Sequence, residues 1–288
     1  MIRRFLLFMF LLLLELPAFS QEPLDSVYLA AEMEDSISSF AIRPLKHSNK
    51  LLKQLMRQIE LDALQQVNED RKYQVEATYT LDKLPPFTAS CILPAKIDSI
   101  PIKGFTADSL DLFLENISLK GPYKLTEKDS IRLKQILFDT ASSFCHRDKH
   151  KKKCELEINW PYMFAPYISY RKIARFCNVT AYSIDDASGR SVFRIQLTKK
   201  DRLRPGASIG NYVLPGYKVD AYFDSRTMQM TQFKFGTRGP SLRWKTTQTL
   251  RQYDYDIKDG KPILKRYQKI GVFDGKIKER TTLRIIDK

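Results

Sequence analysis

The chain has 288 residues, a net charge of +15, 43% hydrophobic and 11% aromatic residues, and 4 cysteines. That length permits a sizeable core in one large β-rich domain or two lobes, and no internal repeat or low-complexity linker divides it. The basic surplus aids solubility and attracts anionic surfaces or polymers, but a solvated basic surface accounts for it more simply than a dedicated polyanion site, and it says nothing about fold.

Arg3 and Arg4 open the chain, the apolar run Phe5 to Leu14 follows, and Ala18-Phe19-Ser20 stands before Gln21. This is the pattern of a secretory signal peptide over residues 1–20, which is removed and takes no part in the fold. The run is too short to span a bilayer and Glu15 interrupts it, so an uncleaved anchor is the weaker reading. No Cys follows the cleavage region, which points to a soluble exported product rather than a lipid-anchored one, and nothing later resembles a membrane helix.

Residues 21–71 read as an N-terminal helical segment. Val27, Leu29, Ala30, Met33 and Ile37 carry one helical stripe, and Leu51, Leu52, Leu55, Met56, Ile59 and Leu64 another, with Pro44 between them. Ser48 or Asn49 can cap the second helix, and its Met and Leu stripe is core packing. From Lys72 the pattern changes period: Tyr73, Val75, Ala77, Tyr79 and Leu81 alternate with polar residues, as a strand with one buried face requires. Pro85, Pro86, Pro94 and Pro101 then punctuate a stretch in which residues 90–93 and 99–102 fit edge strands. Leu110, Leu112 and Leu114 alternate as in another strand. Thr126 and Asp129 form an acidic variant of the capping box ahead of a helix over 127–144, carried by Ile131, Leu133, Ile136, Leu137 and Phe144.

Residues 154–159 read as a strand, 161–170 as an aromatic loop, and 173–184 with 192–197 as a hairpin turning at Asp186-Ala187-Ser188-Gly189. The last seventy residues organise the chain as a meander. Tyr217, Val219, Ala221 and Phe223 share one parity, Asp224-Ser225-Arg226-Thr227 turns, and Met228 to Phe235 returns before Gly236, Gly239 and Pro240. Residues 241–257 and 263–270 follow, joined through Asp259-Gly260, and Asp274-Gly275 leads to residues 276–286. There Ile277, Thr281, Leu283 and Ile285 oppose Lys276, Lys278, Arg280 and Arg284, giving a cationic outer face. Short connections leave an up-and-down antiparallel order as almost the sole topology. Tyr217, Val219, Phe223, Ile277, Leu283 and Ile285 are expected on a concave interior backed by helices at 50–68 and 127–144, because each large apolar side chain left in water forgoes about 1.5–3 kcal/mol.

Chemistry is scarce. Cys145, His146, His150 and Cys154 could hold zinc in principle, but their spacing fits no standard motif and Lys149, Lys151, Lys152 and Lys153 oppose a dication, so no metal is expected. Cys145 and Cys154 could instead close the basic loop as a disulfide, with Lys149, Lys151, Lys152 and Lys153 as a basic patch; Cys91 and Cys177 allow other pairings, and free buried thiols are the alternative. Gly206-Ala207-Ser208-Ile209-Gly210 matches a nucleophile elbow without the strand before it, the helix after it, or any downstream His, so no catalytic residue is expected. No phosphate-cradling loop or dinucleotide fingerprint is present, and no cofactor is expected. Asp185 and Asp186 are ordinary turn residues. Tyr167, Tyr170, Tyr253 and Tyr255 could stack bases, but export argues against nucleic acid. Asn116-Ile117-Ser118 and Asn178-Val179-Thr180 match glycosylation sites that matter only in a eukaryotic secretory host.

The early helix leading into "YQVEATYTL", the hairpin "TAYSIDDASGRSVFRIQLTKK" and the run "GYKVDAYFDSRTMQMTQFKF" give an arrangement that resembles exported Gram-negative envelope proteins of the lipoprotein-localisation-factor superfamily, better in the second half than in the first. The resemblance implies an incomplete antiparallel barrel closed by helices, whose concave face binds acyl chains in the lipoprotein carriers. It supplies no catalytic or binding residue. The Pro-rich section and the Cys145 to Cys154 loop have no counterpart in it. The expected fold class is thus α+β, a curved antiparallel sheet packed on two or three helices, with residues 72–288 as the half-barrel domain. The expected role is a non-catalytic, periplasmic or extracellular binding module for a lipid, another amphipathic ligand or an envelope protein partner. The alternatives are an extracytoplasmic enzyme or a purely structural domain.

Overall fold

The computed structural model describes residues 39–63, 71–80, 85–101, 106–148, 153–158, 177–186, 191–200, 218–239, 247–273 and 276–286. In chain order its elements are β1 (Ser39–Pro44), α1 (Ser48–Ala63), β2 (Lys72–Tyr79), β3 (Phe87–Pro94), β4 (Lys96–Pro101), a 3-10 turn (Ala107–Leu112), β5 (Glu115–Lys120) and α2 (Glu127–Ser142). After these come β6 (Cys145–Asp148), β7 (Lys153–Glu157), β8 (Cys177–Asp186), β9 (Ser191–Lys199), β10 (Lys218–Asp224), β11 (Met230–Gly239), β12 (Thr247–Lys258), β13 (Lys261–Phe273) and β14 (Lys276–Ile285).

One large antiparallel sheet runs in the order β1-β8-β9-β10-β11-β12-β13-β14-β2-β3-β5; it is curved and open. A small sheet, β4-β7-β6, stands beside it in sequence. The meander from β8 to β14 follows sequence order strand by strand, and β14 then pairs with β2 from the first half of the chain, with Leu283 opposite Val75. The tight turn between β12 and β13 places Asp259 and Gly260 at φ +54° and +73°, the left-handed pair that a two-residue hairpin demands and that Asp-Gly supplies at little strain. Between β10 and β11, Asp224 Oδ1 accepts from the amides of Arg226 and Thr227, each at 2.8 Å. Partial burial alone would raise that carboxyl, but these hydrogen bonds win and hold it below the usual carboxylate range.

Strict alternation makes one face of this sheet the core. A single register row crosses nine strands as Ala181, Ile195, Ala221, Phe233, Tyr253, Tyr267, Leu283, Val75 and Cys91, and every member is buried. The helices cover the same face from its two flanks. Leu52, Leu55, Met56 and Ile59 of α1 are buried with α1 packed on β8, whereas Leu133, Ile136, Leu137 and Ala141 of α2 are buried with α2 packed on β2 and β3. The capping box at α2 is formed as expected: Thr126 Oγ1 accepts from the Asp129 amide at 3.2 Å, and Asp129 Oδ2 accepts from the Thr126 amide at 3.1 Å.

Several expectations are corrected. Residues 39–44, assigned above to the N-terminal helical segment, form β1, because Pro44 forbids a helix through the segment and Arg43 reaches Asp185 on β8 at 2.6 Å. Leu110, Leu112 and Leu114 do not alternate along a strand. Thr106 and Ser109 bond each other across a 3-10 turn, which buries Leu110 completely and leaves Leu112 84% exposed. Residues 90–93 belong to the longer β3, which lies between β2 and β5 and is no edge, although β4 is one. Gly236 does not end β11; it pairs with Lys218 and Leu250 inside the sheet. Strand β6 was not anticipated. Ile277 is 41% exposed rather than interior, because a bulge near Gly271 breaks the parity at that end of β14, while Val219, Phe223 and Leu283 are buried as expected. The signal-peptide residues, Tyr217, the aromatic loop and the Ser208 loop lie outside the described residues.

Candidate functional site

The core row changes character one step along the strands. Two residues from Tyr253, Tyr267 and Leu283, on the same face, the next row reads Val179, Leu197, Val219, Phe235, Arg251, Lys269, Thr281, Ala77, Ala89 and Leu119. Three polar side chains thus sit side by side on β12, β13 and β14 in an otherwise apolar row. These strands lie between the two flanks on which α1 and α2 rest.

The floor beside this row is aromatic. Tyr253 and Tyr267 have ring centroids 4.8 Å apart, Phe235 stacks on Tyr253 at 6.2 Å and 11°, and Phe144, just past α2, meets Tyr267 edge-on at 5.3 Å. Tyr255 and Tyr73 extend it, the Tyr73 hydroxyl donating to the Leu264 carbonyl at 3.1 Å. Burial pushes the phenols of Tyr253 and Tyr255 well above their ordinary range and that of Tyr73 up to about 12, so all three stay neutral donors.

Lys269 Nζ bonds Glu279 Oε1 at 2.9 Å, with side chains only 12% and 16% exposed, so that pair is internally neutral. Its neighbours are not so matched. The Tyr267 hydroxyl, Thr281 Oγ1 and Arg251 Nε are buried without a hydrogen-bond partner, while the Arg251 guanidinium lies 5.6 Å from the Phe235 ring centre. A buried donor without an acceptor costs about 1–3 kcal/mol. Three such donors on an aromatic face suit a ligand that presents oxygen acceptors next to an apolar body. Gly271, the next residue of that parity on β13, leaves room at Glu279: a Cβ there would stand 3.2 Å from the Glu279 Cβ.

Sequence reasoning placed Thr281 on the apolar parity of the last strand but did not name Arg251, Lys269 or Tyr267. The signal was present, since Arg251 shares the parity of Tyr253 and Tyr255, and Lys269 that of Tyr267. Of the residues it did name, Cys145 stands opposite Leu156 and Cys154 opposite Arg147, so the two cysteines occupy diagonal positions of the β6–β7 ladder. Cys145 Sγ donates to the Ala141 carbonyl at 3.5 Å. Lys149, Lys151 and Lys152, with His150, lie outside the described residues, and Lys153 begins β7 opposite Asp148. Cys91, Cys145 and Cys177 are thiols outside any disulfide, so the bridge between Cys145 and Cys154 is not formed here, and burial raises Cys91 to about 12 and Cys177 to about 11. Asp185 accepts from Ser191 at 2.6 Å and pairs with Arg43, which fastens β1 to β8. Tyr253 and Tyr255 are core residues and offer no stacking surface to nucleic acid. No helix among the described residues is long and apolar enough to cross a membrane.

No family model matches the chain, and no curated protein does. Among solved structures it is similar to a LolA superfamily protein from Nitrosomonas europaea, at 9% identity over 81% of this chain and 90% of that one with a TM-score of 0.28, a likeness too loose to carry a functional argument.

Proposed function

We propose that this protein is a non-catalytic binding module of the cell envelope, exported by residues 1–20, whose half-barrel spans residues 72–288 and takes an apolar or amphipathic ligand on its concave face. The single observation behind this reading is the set of buried, partnerless donors at Tyr267, Thr281 and Arg251 set into an aromatic face. A purely structural core gains by filling such positions with apolar groups of the same shape, whereas a binding face keeps donors for its ligand. In the same reading Cys145, a thiol in the structure, pairs with Cys154 on oxidation in the envelope and closes the loop whose basic patch is Lys149, Lys151, Lys152 and Lys153. The open edges of the sheet also leave room for an envelope protein as partner.

Native mass spectrometry of protein recovered from its own envelope, followed by solvent extraction, tests the reading. A stoichiometric adduct in the mass range of a lipid, lost on extraction, is the expected result. A protein that is always ligand-free and binds no amphiphile when offered one would overturn it. Phe144 packed against Tyr253 and Tyr267 is the observation that favours a filled, structural interior instead.

A further inference from the structure

Strand β5 ends the large sheet: it pairs with β3 on one side and with no described strand on the other. Its outward amides and carbonyls form an open edge, the kind of template to which another strand adds. The strand is not regular. Asn116 takes a left-handed φ of +53°, and Asn116 and Ile117 together stand against Cys91 where the register passes from Ser118 opposite Ser90 to Glu115 opposite Ile92. That bulge resets a parity. In a regular strand Glu115 and Lys120 would point to opposite faces, but here they stand opposite Ile92 and Thr88, which share the outer parity of β3 with Ser90. A carboxylate and an ammonium thus mark the two ends of the open edge on one face. Both residues are exposed; Glu115 reaches the exposed Lys72 at 2.7 Å, whereas Lys120 has no carboxylate partner among the described residues. Leu112, in the 3-10 turn just before β5, is 84% exposed, and Tyr123, in the turn just after it, 45%.

We propose that β5 pairs antiparallel with β5 of a second copy of this chain, about a two-fold axis through Ser118, so that the two large sheets continue as one. With the bulge allowed for, Ser118 meets its own counterpart, Leu119 meets the bulge at Asn116 and Ile117, and each Glu115 meets Lys120 of the other copy, twice by symmetry. The start of one β5 then lies beside the end of the other, so the exposed Leu112 and Tyr123 of opposite copies flank the joint and lose water there. A slip of one residue sets Glu115 and Lys120 on opposite faces and takes Leu119 off the core parity it shares with Ala89. Charges and a bulge guard an edge against indiscriminate pairing, and on β5 the same two features select one register. This association does not depend on what the concave face holds.

Sedimentation velocity of the mature protein tests it, with Glu115→Lys, Lys120→Glu and their equimolar mixture beside the unaltered chain. A concentration-dependent dimer is expected at or below about 100 μM, and each variant alone is expected to weaken it at least about tenfold, since two symmetric attractive pairs become two repulsive ones. Lys120→Glu breaks no ion pair within the described chain, so its effect reads the association alone. Mixing the two variants is expected to restore the dimer, because each contact across the joint then brings opposite charges together again. A protein that stays monomeric at that concentration, whether its edge is bare or held by a different envelope protein, would overturn the proposal. So would a dimer that neither reversal weakens, or a mixture that associates no more tightly than the variants alone.

Discussion

The two faces of strands β9 to β14 bury polar groups in opposite ways. On the outer face, Asp220 is 1% exposed and its Oδ1 accepts from Arg194 Nε at 2.9 Å and Gln196 Nε2 at 3.2 Å. Two strands on, Asp254 accepts from Gln232 at 2.8 Å, Gln252 at 2.9 Å and Arg266 at 2.6 Å. Two carboxylates thus act as hubs that collect the amide and guanidinium donors around them. On the concave face the roles are reversed, for Arg251, Thr281 and Tyr267 present donors to which the described residues bring no acceptor. The difference teaches that the outer network ties neighbouring strands together, although Asp220 Oδ2 there also has no partner, whereas the inner donors are the groups on which the proposed binding reading rests.

Removing a hub should break the outer face. Asp220→Ala strips the acceptor from a buried pair and is expected to cost about 3–5 kcal/mol in urea unfolding, the largest effect in this set. The inner face should respond with the opposite sign. Thr281→Val removes a buried donor that has no partner and keeps its shape, so delipidated protein is expected to gain about 1–2 kcal/mol by the same measurement. A loss of that size would mean that Thr281 is already satisfied in the folded protein and would erase the contrast between the faces.

A third buried carboxylate sharpens the comparison through pH. Asp62, at the end of α1, accepts from Gln58 at 2.9 Å and from Gln229 at 3.3 Å, while Gln229 also donates to the Gly260 carbonyl at 2.7 Å. Burial raises its carboxyl above the ordinary value, and the two amide bonds only partly offset this. Above the unfolded pKa the unfolded chain has lost a proton that the folded protein still holds, so stability falls as pH climbs through the interval up to the raised folded pKa. The urea midpoint is expected to fall as pH rises from the ordinary carboxylate value through the raised folded one, and Asp62→Asn to flatten that fall. An unchanged slope in the variant would show that Asp62 is not the titrating group.

The parts of the fold that were legible in the sequence are those where one local rule acts alone. Alternation from Tyr73 to Tyr79 gave β2, Asp259-Gly260 gave the β12–β13 turn, and Thr126 with Asp129 gave the start of α2. Where two rules compete, local pattern misleads. The spacing of Leu110 and Leu112 fits a strand, but the Thr106 and Ser109 bonds win, and the hairpin parity that would bury Ile277 is reset by a bulge. The concave site was hidden for another reason. Arg251, Lys269 and Thr281 are distant in sequence and become neighbours only through the β12–β13–β14 register. Charged residues on such strands read as outer-face residues unless their parity with Tyr253 and Tyr267 is followed through.

The most direct measurement is a crystal structure of the mature protein with a brominated single-chain amphiphile, read by the anomalous signal of bromine. The account predicts one bromine peak on the concave face beside Arg251, Thr281 and Tyr267, with Phe144 displaced from Tyr253 and Tyr267 to admit the ligand. Bromine only on the outer surface, with Phe144 still seated on Tyr253 and Tyr267 in a filled interior, would contradict it.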